Sequence, residues 1–373
     1  MGAALAKAVD ASRVRHIFNH DIMGCTAEGV TGNHLYSGRV LGASEPGDVV
    51  QLHPELASQW DAITAHYRRI GLSHATDVIW DVSRARLAEH PERGVSVFFF
   101  GPDEHSVRPD ERWLRSVAAI NSKNTFMELA ARLGVPVPLT IPFARVEDIT
   151  ATDIADAPSP CYIKAAVSVS GVGIHRCADA AELRSAIGGF DPGTPVQIQQ
   201  EVVTNTFLNL QYRCDADGVH RHAATEQVLD GFVHQGNRHP ARHAPWDTVE
   251  PMARWLHDEG MRGVFAFDVA VVGDDAAPEF LAIECNPRFN GASYPTAIAH
   301  RLGVDRWLAK AYHTRHRSLD AVDLGGIEYD STTGTGIVLV NWGPILVGKL
   351  LVLLAGDEAT QADLEQELLA RLQ

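Results

Sequence analysis

Cysteine is scarce and irregularly placed in this 373-residue sequence: Cys25, Cys161, Cys177, Cys214 and Cys285, with no C-x-x-C spacing. An odd, scattered set indicates neither a disulfide framework nor a zinc site, and a reducing cytoplasm suits it. Positive charge is also in short supply. The 32 Lys and Arg against 47 Asp and Glu leave a formal charge of -15. That balance argues against a broad nucleic-acid surface, because non-specific affinity for polyanions comes from clustered cations. Small anions can still bind in local basic pockets. Long apolar runs are missing too: Ile345 to Ala355 is interrupted by Lys349, far short of the ~20 residues that cross a bilayer. Met1 to Val14 carries Asp10 and no apolar core, so it does not read as a secretory signal, and Ala6 spoils a myristoylation pattern. The glycines at 24, 29 and 32 do not form G-x-G-x-x-G, which leaves a dinucleotide fingerprint without support.

What is present is ordinary for a globular chain of two or three packed units: 45% hydrophobic and 21% charged residues. Over the first hundred residues, short apolar runs (Val14 to Phe18, Val95 to Phe100) alternate with helical stretches such as Leu56 to Ile70. This alternation predicts an α/β unit with a partly parallel sheet. From Ser122, the residues Phe126, Leu129, Ala130 and Leu133 keep helical spacing, with Gly134 as the stop and Pro136 and Pro138 beyond. A second helix is expected from Asp179, with Glu182 completing a capping box and Gly188-Gly189 as its end. Strands are expected at Cys161 to Ala166, Val196 to Val203, Phe207 to Cys214, His222 to Leu229, Val264 to Val272, Phe280 to Asn286 and Gly336 to Val340. Val249 to Glu259 and the stretch from Glu358 read as helices.

The segment Phe280 to Gly291 carries the densest chemistry. In a strand, side chains alternate, so Glu284 and Asn286 are expected to share one face with Ala282, with Ile283 and Cys285 on the other. Pro287 ends the strand and leaves Arg288 and Asn290 on the following loop. Adjacent oxygen donors suit a hard cation such as magnesium, and a guanidinium suits an anionic oxygen nearby. Asp268, inside the apolar run Val264 to Val272, needs a partner; antiparallel pairing would set it beside Glu284 and Asn286, although pairing with a buried Arg is the plainer alternative. Lys164 sits in an apolar strand that opens on Ser168-Val169-Ser170-Gly171-Val172-Gly173. A lysine there calls for an anion, and a small, glycine-containing loop lets backbone N–H groups approach phosphate oxygens. A hairpin turn and a snorkelling lysine are the bland readings. Lys123 can add a phosphate contact.

The order Lys123, Lys164 with its loop, Gln200-Glu201-Val202-Val203, Asp268, and Glu284-x-Asn286-x-Arg288 resembles the ATP-grasp superfamily of ligases over about residues 121–307. The resemblance implies an ATP-grasp fold, α/β with α+β elements, preceded by an α/β domain and followed by a small closing domain. Its divisions would fall at 1–120, 121–195, 196–320 and 321–373. By the same resemblance, Lys123, Lys164, Ser168, Ser170, Gly171 and Gly173 would hold the phosphates of ATP. Gln200, Glu201 and Val203 would receive adenine, largely through backbone groups. Asp268, Glu284 and Asn286 would bind Mg2+, and Arg288 with Lys164 would stabilise the transferring phosphoryl group. Arg288, Asn290, Gly291 and Gln227 would face the substrate. The loop departs from the commoner pattern in having Ser168 and Ser170 where glycines are frequent. The region 336–356, with Asn341-Trp342-Gly343-Pro344, is similar to the closing domain of peptide ligases of the pheganomycin type.

The reading is therefore an ATP-dependent carboxylate-amine ligase working through an acyl phosphate on small acids and amines, amino acids or peptides, with no nucleic-acid or membrane partner. A homodimer is a common assembly at this size. A carboxylase or purine-type ligase, or a non-catalytic nucleotide sensor, stays open. Gly343 to Lys349 fits G-x-x-x-x-G-K, but Leu350 stands where a P-loop needs Ser or Thr, and its apolar interior reads as a strand. The histidines at 220, 222, 234, 239 and 243 lack ligand spacing for zinc. Cys285 reads as a packing residue rather than a nucleophile.

Overall fold

The computed structural model describes residues 14–26, 30–168, 173–230, 233–274 and 276–373. Near the N-terminus the apolar runs become β1 (His16–Asn19), β2 (Val49–Gln51), β3 (Asp77–Ile79) and β4 (Gly94–Val97). They form one sheet in the order β3-β2-β1-β4, and every pair is parallel rather than partly so. Parallel neighbours require long crossovers, and the helix Trp60–Arg69 lies in one of them.

The helix expected from Ser122 runs over Lys123–Leu133. The Ser122 side chain accepts from the Thr125 amide, and Gly134, at φ 68°, takes the left-handed turn that ends it. A second sheet follows: β5 (Thr140–Phe143), β6 (Cys161–Ala165), β7 (Ile174–Cys177) and β8 (Val196–Gln200), antiparallel in the order β5-β8-β6-β7. The helix Ala180–Ile187 covers it. Asp179 caps that helix, and the Glu182 carboxylate accepts from the Ala178 amide. This small sheet has an apolar core of its own, made of Val146, Ile154, Cys161, Ile163, Cys177, Leu183, Val196 and Ile198. A division at 195/196 would separate β8 from the two strands it pairs with, so the boundary belongs beyond Gln200.

The remaining strands are β9 (Phe207–Asp215), β10 (Gly218–Asp230), β11 (Val233–His239), β12 (Gly263–Val272), β13 (Glu279–Asn286), β14 (Trp307–His313), β15 (Gly336–Asn341) and β16 (Lys349–Ala355). They make an eight-stranded sheet in the order β13-β12-β9-β10-β11-β14-β16-β15. The stretch 321–373, expected as a separate closing unit, instead places β15 and β16 at the edge of this sheet, with β16 antiparallel to β14. Gly343–Val347 is a 3-10 helix, not the expected strand. Gly348 at φ 79° then turns the chain into β16, so no helix follows and the P-loop likeness fails on geometry.

Two large cores tie the sheets together. One joins Phe18, Leu35, Leu41 and Tyr67 of the N-terminal unit to Ile298, Leu339, Trp342 and Leu353. The other joins Ile17, Phe100 and Trp113 to the helix Lys123–Leu133 and to Leu210, Phe267 and Cys285. Among the described residues no helix is long and apolar enough to cross a membrane.

A polar clamp reinforces the first core. Glu328 accepts from Arg69 Nε at 2.7 Å and Nη2 at 2.8 Å, and from His66 Nδ1 at 2.5 Å. His66 Nε2 accepts from the Leu339 amide at 3.0 Å, so the ring carries its proton on Nδ1 and is neutral, in keeping with burial lowering its pKa. Burial raises the Glu328 pKa, but the His66 and Arg69 contacts outweigh it and bring the carboxyl down to about 2 from 4.5. A depressed carboxylate stabilises the fold above its unfolded pKa and loses that contribution as pH falls toward the folded one. Glu328→Gln should therefore cost about 2 kcal/mol at pH 7, with the gap to wild type narrowing as pH drops below about 4.5. Urea unfolding midpoints between pH 7 and pH 3 measure this.

Candidate functional site

A cleft of about 1370 Å³ is lined by residues of the small sheet, β9, β10, β12, β13 and the loop after β13. Its floor rests on one cross-strand pair. The β12–β13 register sets Asp268 opposite Glu284 and then shifts, so that Val269 faces Ala282. Ile283 is the extra residue of a β-bulge. The strict alternation expected from the sequence therefore breaks. Ala282 and Cys285 both enter the apolar core with Phe267 and Val269, while Ile283 lines the cleft together with Glu284 and Asn286. The bulge is what brings a hydrophobic wall and two oxygen donors to the same side.

Among the described residues Asp268 has no buried arginine as an ion-pair partner. Three side-chain amides hold it: Asn209 Nδ2 and Gln227 Nε2 donate to Oδ1 at 2.8 Å each, and Asn286 Nδ2 donates to Oδ2 at 3.0 Å. Burial and the neighbouring Glu284 charge raise its pKa, against the pull of the Asn209 and Asn286 amides and of Arg288. Glu284 moves the other way. Burial raises its pKa, but the charges of Lys123, Lys164 and Arg288 prevail and the carboxylate stays ionised. Two acids side by side are thus driven apart, one easily protonated and one held charged.

Lys123, at the first turn of its helix, reaches Glu284 Oε2 at 3.2 Å and donates to Ser168 Oγ at 3.1 Å. Lys164 points from β6 into the cleft, donates to Gln199 Oε1 at 2.7 Å, and sits 5.4 Å from the centre of the Tyr162 ring. Burial and the Lys123 charge lower its pKa to about 8, even with Glu284 opposing. Arg288 lines the cleft beside Phe98, whose ring centre is 5.3 Å from the guanidinium carbon. Asn290 donates to Asn209 Oδ1 at 3.3 Å, and its own Oδ1 accepts from the Ala292 and Ser293 amides. Gly291 follows with no room for a side chain, because a Cβ would lie 2.9 Å from the His234 ring.

Lys123, Lys164, Ser168, Gln200, Gln227, Asp268, Glu284, Asn286, Arg288, Asn290 and Gly291 thus line one cleft. Glu201 and Val203 do not turn their side chains to it. Glu201 holds Arg176 at 2.6 and 2.9 Å and accepts from Tyr162, whereas Val203 is 85% exposed. Val202 and Gln200 line the cleft instead. Gly173, at φ 73°, begins the return into β7, and its carbonyl accepts from the Ala165 amide. Ser170 and Gly171 lie outside the described residues. Sequence reasoning missed Asn209 and Gln199. The available signal was the alternation of Leu208 and Leu210 with Asn209 and Gln211, and of Val196 and Ile198 with Gln197 and Gln199: strand faces made of amides, all buried.

Solved structures of similar fold are N5-carboxyaminoimidazole ribonucleotide synthetases. The Staphylococcus aureus protein complexed with ADP superposes with a TM-score of 0.56 at 12% identity, over 88% of this chain and 98% of that one. The chain has the ATP-grasp fold. The Thermus thermophilus synthetase gives a TM-score of 0.52 at 16% identity, over 87% and 98%. The Aspergillus clavatus enzyme in complex with ADP and aminoimidazole ribonucleotide gives 0.52 at 11%, over 89% and 100%. No family model and no curated protein matches the sequence. In this fold the cleft lies between the small sheet, with its separate core, and the eight-stranded sheet.

The Lys123–Glu284 contact makes a prediction that needs no ligand. Removing one member of a close ion pair leaves the other uncompensated. Lys123→Met should lower stability at pH 7 by about 1–2 kcal/mol, and the loss should shrink when Glu284→Gln is added. A double-mutant cycle by urea unfolding reads the coupling; additive losses would show that the two groups do not interact.

Proposed function

We propose that this chain is an ATP-dependent carboxylate-amine ligase that activates an acid as its acyl phosphate and releases ADP and phosphate. The observation that carries the reading is the convergence of Lys123, Lys164, Asp268, Glu284, Asn286 and Arg288 on one cleft of an ATP-grasp fold. Phosphoryl transfer asks a protein mainly for positioning and for positive charge around the moving group. Lys164 and Lys123 supply that charge on the side of the small sheet, and Arg288 supplies it from the loop after β13.

The donor set fits a hard divalent cation. Glu284 remains ionised, Asn286 commits its amide nitrogen to Asp268 and so turns its carbonyl oxygen elsewhere, and all three offer oxygen. Asp268, Glu284 and Asn286 would hold Mg2+, which when bound neutralises phosphate oxygens. The chain's own contribution is to keep Asp268 fixed by three amides, to hold Glu284 charged with Lys123, and to present Arg288 to the acceptor acid. An amine then attacks the acyl carbon and expels phosphate. Amino acids or short peptides remain the proposed acid and amine. The coverage of 89% of this chain and 100% of a synthetase solved with ADP and aminoimidazole ribonucleotide favours a second reading, a purine-type ligase whose acceptor amine is a nucleotide.

Hydroxylamine, standing in for the amine, tests the reaction. With ATP, Mg2+ and a panel of amino acids and peptides, and with aminoimidazole ribonucleotide as an alternative amine, the expected products are ADP, phosphate and, from the acids with hydroxylamine, a hydroxamate. Formation of AMP and pyrophosphate would refute the acyl phosphate. Glu284→Gln should cut turnover by at least about a hundredfold, the order of loss seen when one charge-stabilising group is removed, with a loss of stability no larger than about 1–2 kcal/mol, the cost expected from breaking its pair with Lys123.

Lys164 adds a pH signature. It is protonated below about 8 and neutral above, so affinity for ADP should weaken as pH rises through that value. Titration calorimetry from pH 6.5 to 9.5 should show the decline in wild type and a flatter profile in Lys164→Gln.

A further inference from the structure

We propose that the acid substrate carries a second anionic group, carboxylate or phosphate, seated in a side pocket built around Arg39; this rests on the ligase reading above. The pocket, of about 160 Å³, shares Tyr36, His234, Gly291 and Lys349 with the main cleft and so opens directly from it. Arg39 is only 7% exposed, and its Nε and Nη2 are buried with no hydrogen-bond partner among the described residues. A buried guanidinium leaves such donors unpaired at high cost unless an anion completes them.

The surroundings satisfy the cation only in part: the Tyr294 side chain hydrogen-bonds to Arg39, and Nε and Nη2 are left over. Its guanidinium carbon lies 4.3 Å from the centre of the Tyr294 ring, 4.6 Å from Phe98 and 5.3 Å from Tyr36. Ring faces attract the charge but accept no directed N–H bond of carbonyl strength. Lys349, whose ammonium donates to the Tyr36 hydroxyl at 3.3 Å, adds a second positive charge. None of the described residues lining the pocket is acidic, in a chain whose net charge is -15. Asn341, 6% exposed, also lines it.

Phe98 fixes the spacing. Arg39 and Arg288 both stand against its ring, at 4.6 and 5.3 Å from the centre, so their guanidinium carbons lie no farther apart than those two distances end to end. That is the reach of roughly three extended residues or less. An acid whose reacting carboxylate lies at Arg288 can therefore place a second anion at Arg39 if it is no longer than a short peptide. The device would select dianionic acids over monoanionic ones of the same length.

Calorimetric titration with glutarate, 3-phosphoglycerate and butyrate tests this, with ADP·Mg2+ binding measured in parallel. Wild type is expected to bind one of the two dianions at least about tenfold more tightly than butyrate, and the stronger of the two identifies the anion as carboxylate or phosphate. Arg39→Met should abolish the preference and leave ADP affinity unchanged; Lys349→Met, at a half-buried position, should reduce it and serves if the first variant does not fold. Equal binding of butyrate and both dianions, or a preference that survives both substitutions, would overturn the proposal. Loss of ADP binding in wild type would instead refute the ligase reading, so the two failures are distinguishable.

Discussion

A carboxylate in the middle of an apolar sheet must be answered by something polar, and the way Asp268 is answered organises the site. An arginine would have neutralised it and filled the space. Three amides instead leave the charge balance of the floor to be set by whatever enters the cleft. Each amide comes from a different strand, β9, β10 and β13, so Asp268 fixes the relative positions of the strands that carry the site. Glu284, opposite, is kept ionised by cations from the helix Lys123–Leu133 and from β6. Two sheets thereby meet electrostatically over a gap that neither fills.

That gap follows from how the apolar residues are divided. The small sheet encloses its own core, and its link to the rest at the cleft is polar: Lys123 reaches both Ser168 and Glu284, and the Lys164 charge attracts Glu284. The larger sheet shares its cores with the N-terminal unit. An interface made of charges and amides is easily rewetted or filled by a ligand, whereas one made of leucines would have closed.

The sequence showed much of this where local rules hold. The helix between Ser122 and Gly134 and the cap at Asp179 follow from short-range chemistry and lie where expected. The antiparallel neighbourhood of Asp268 and Glu284 was legible from two apolar runs and a polar turn. What alternation could not supply was the extra residue at Ile283, because a bulge is decided by the partner strand and not by the strand's own pattern. The expected strand at 343–349 failed for a related reason: Gly343, Pro344 and Gly348 act as turn formers within an apolar stretch that composition alone reads as extended. Arg39 gave no signal at all. A lone arginine in a small-residue segment becomes notable only when Phe98 and Tyr294, distant in sequence, are found packed against it.

The core that unites Phe18, Leu35 and Tyr67 with Trp342, Leu353 and Leu368 is assembled from the two ends of the described chain. Contacts of such wide sequence separation form late and slowly, because loop closure must precede them. During synthesis the parallel sheet would emerge first and wait, its apolar face uncovered, until some two hundred and more residues later β15 and β16 arrive to cover it. The intervening small sheet, with its independent core, can fold meanwhile. A chain built this way should lean on chaperones for its first hundred residues far more than for the segment that carries Lys164.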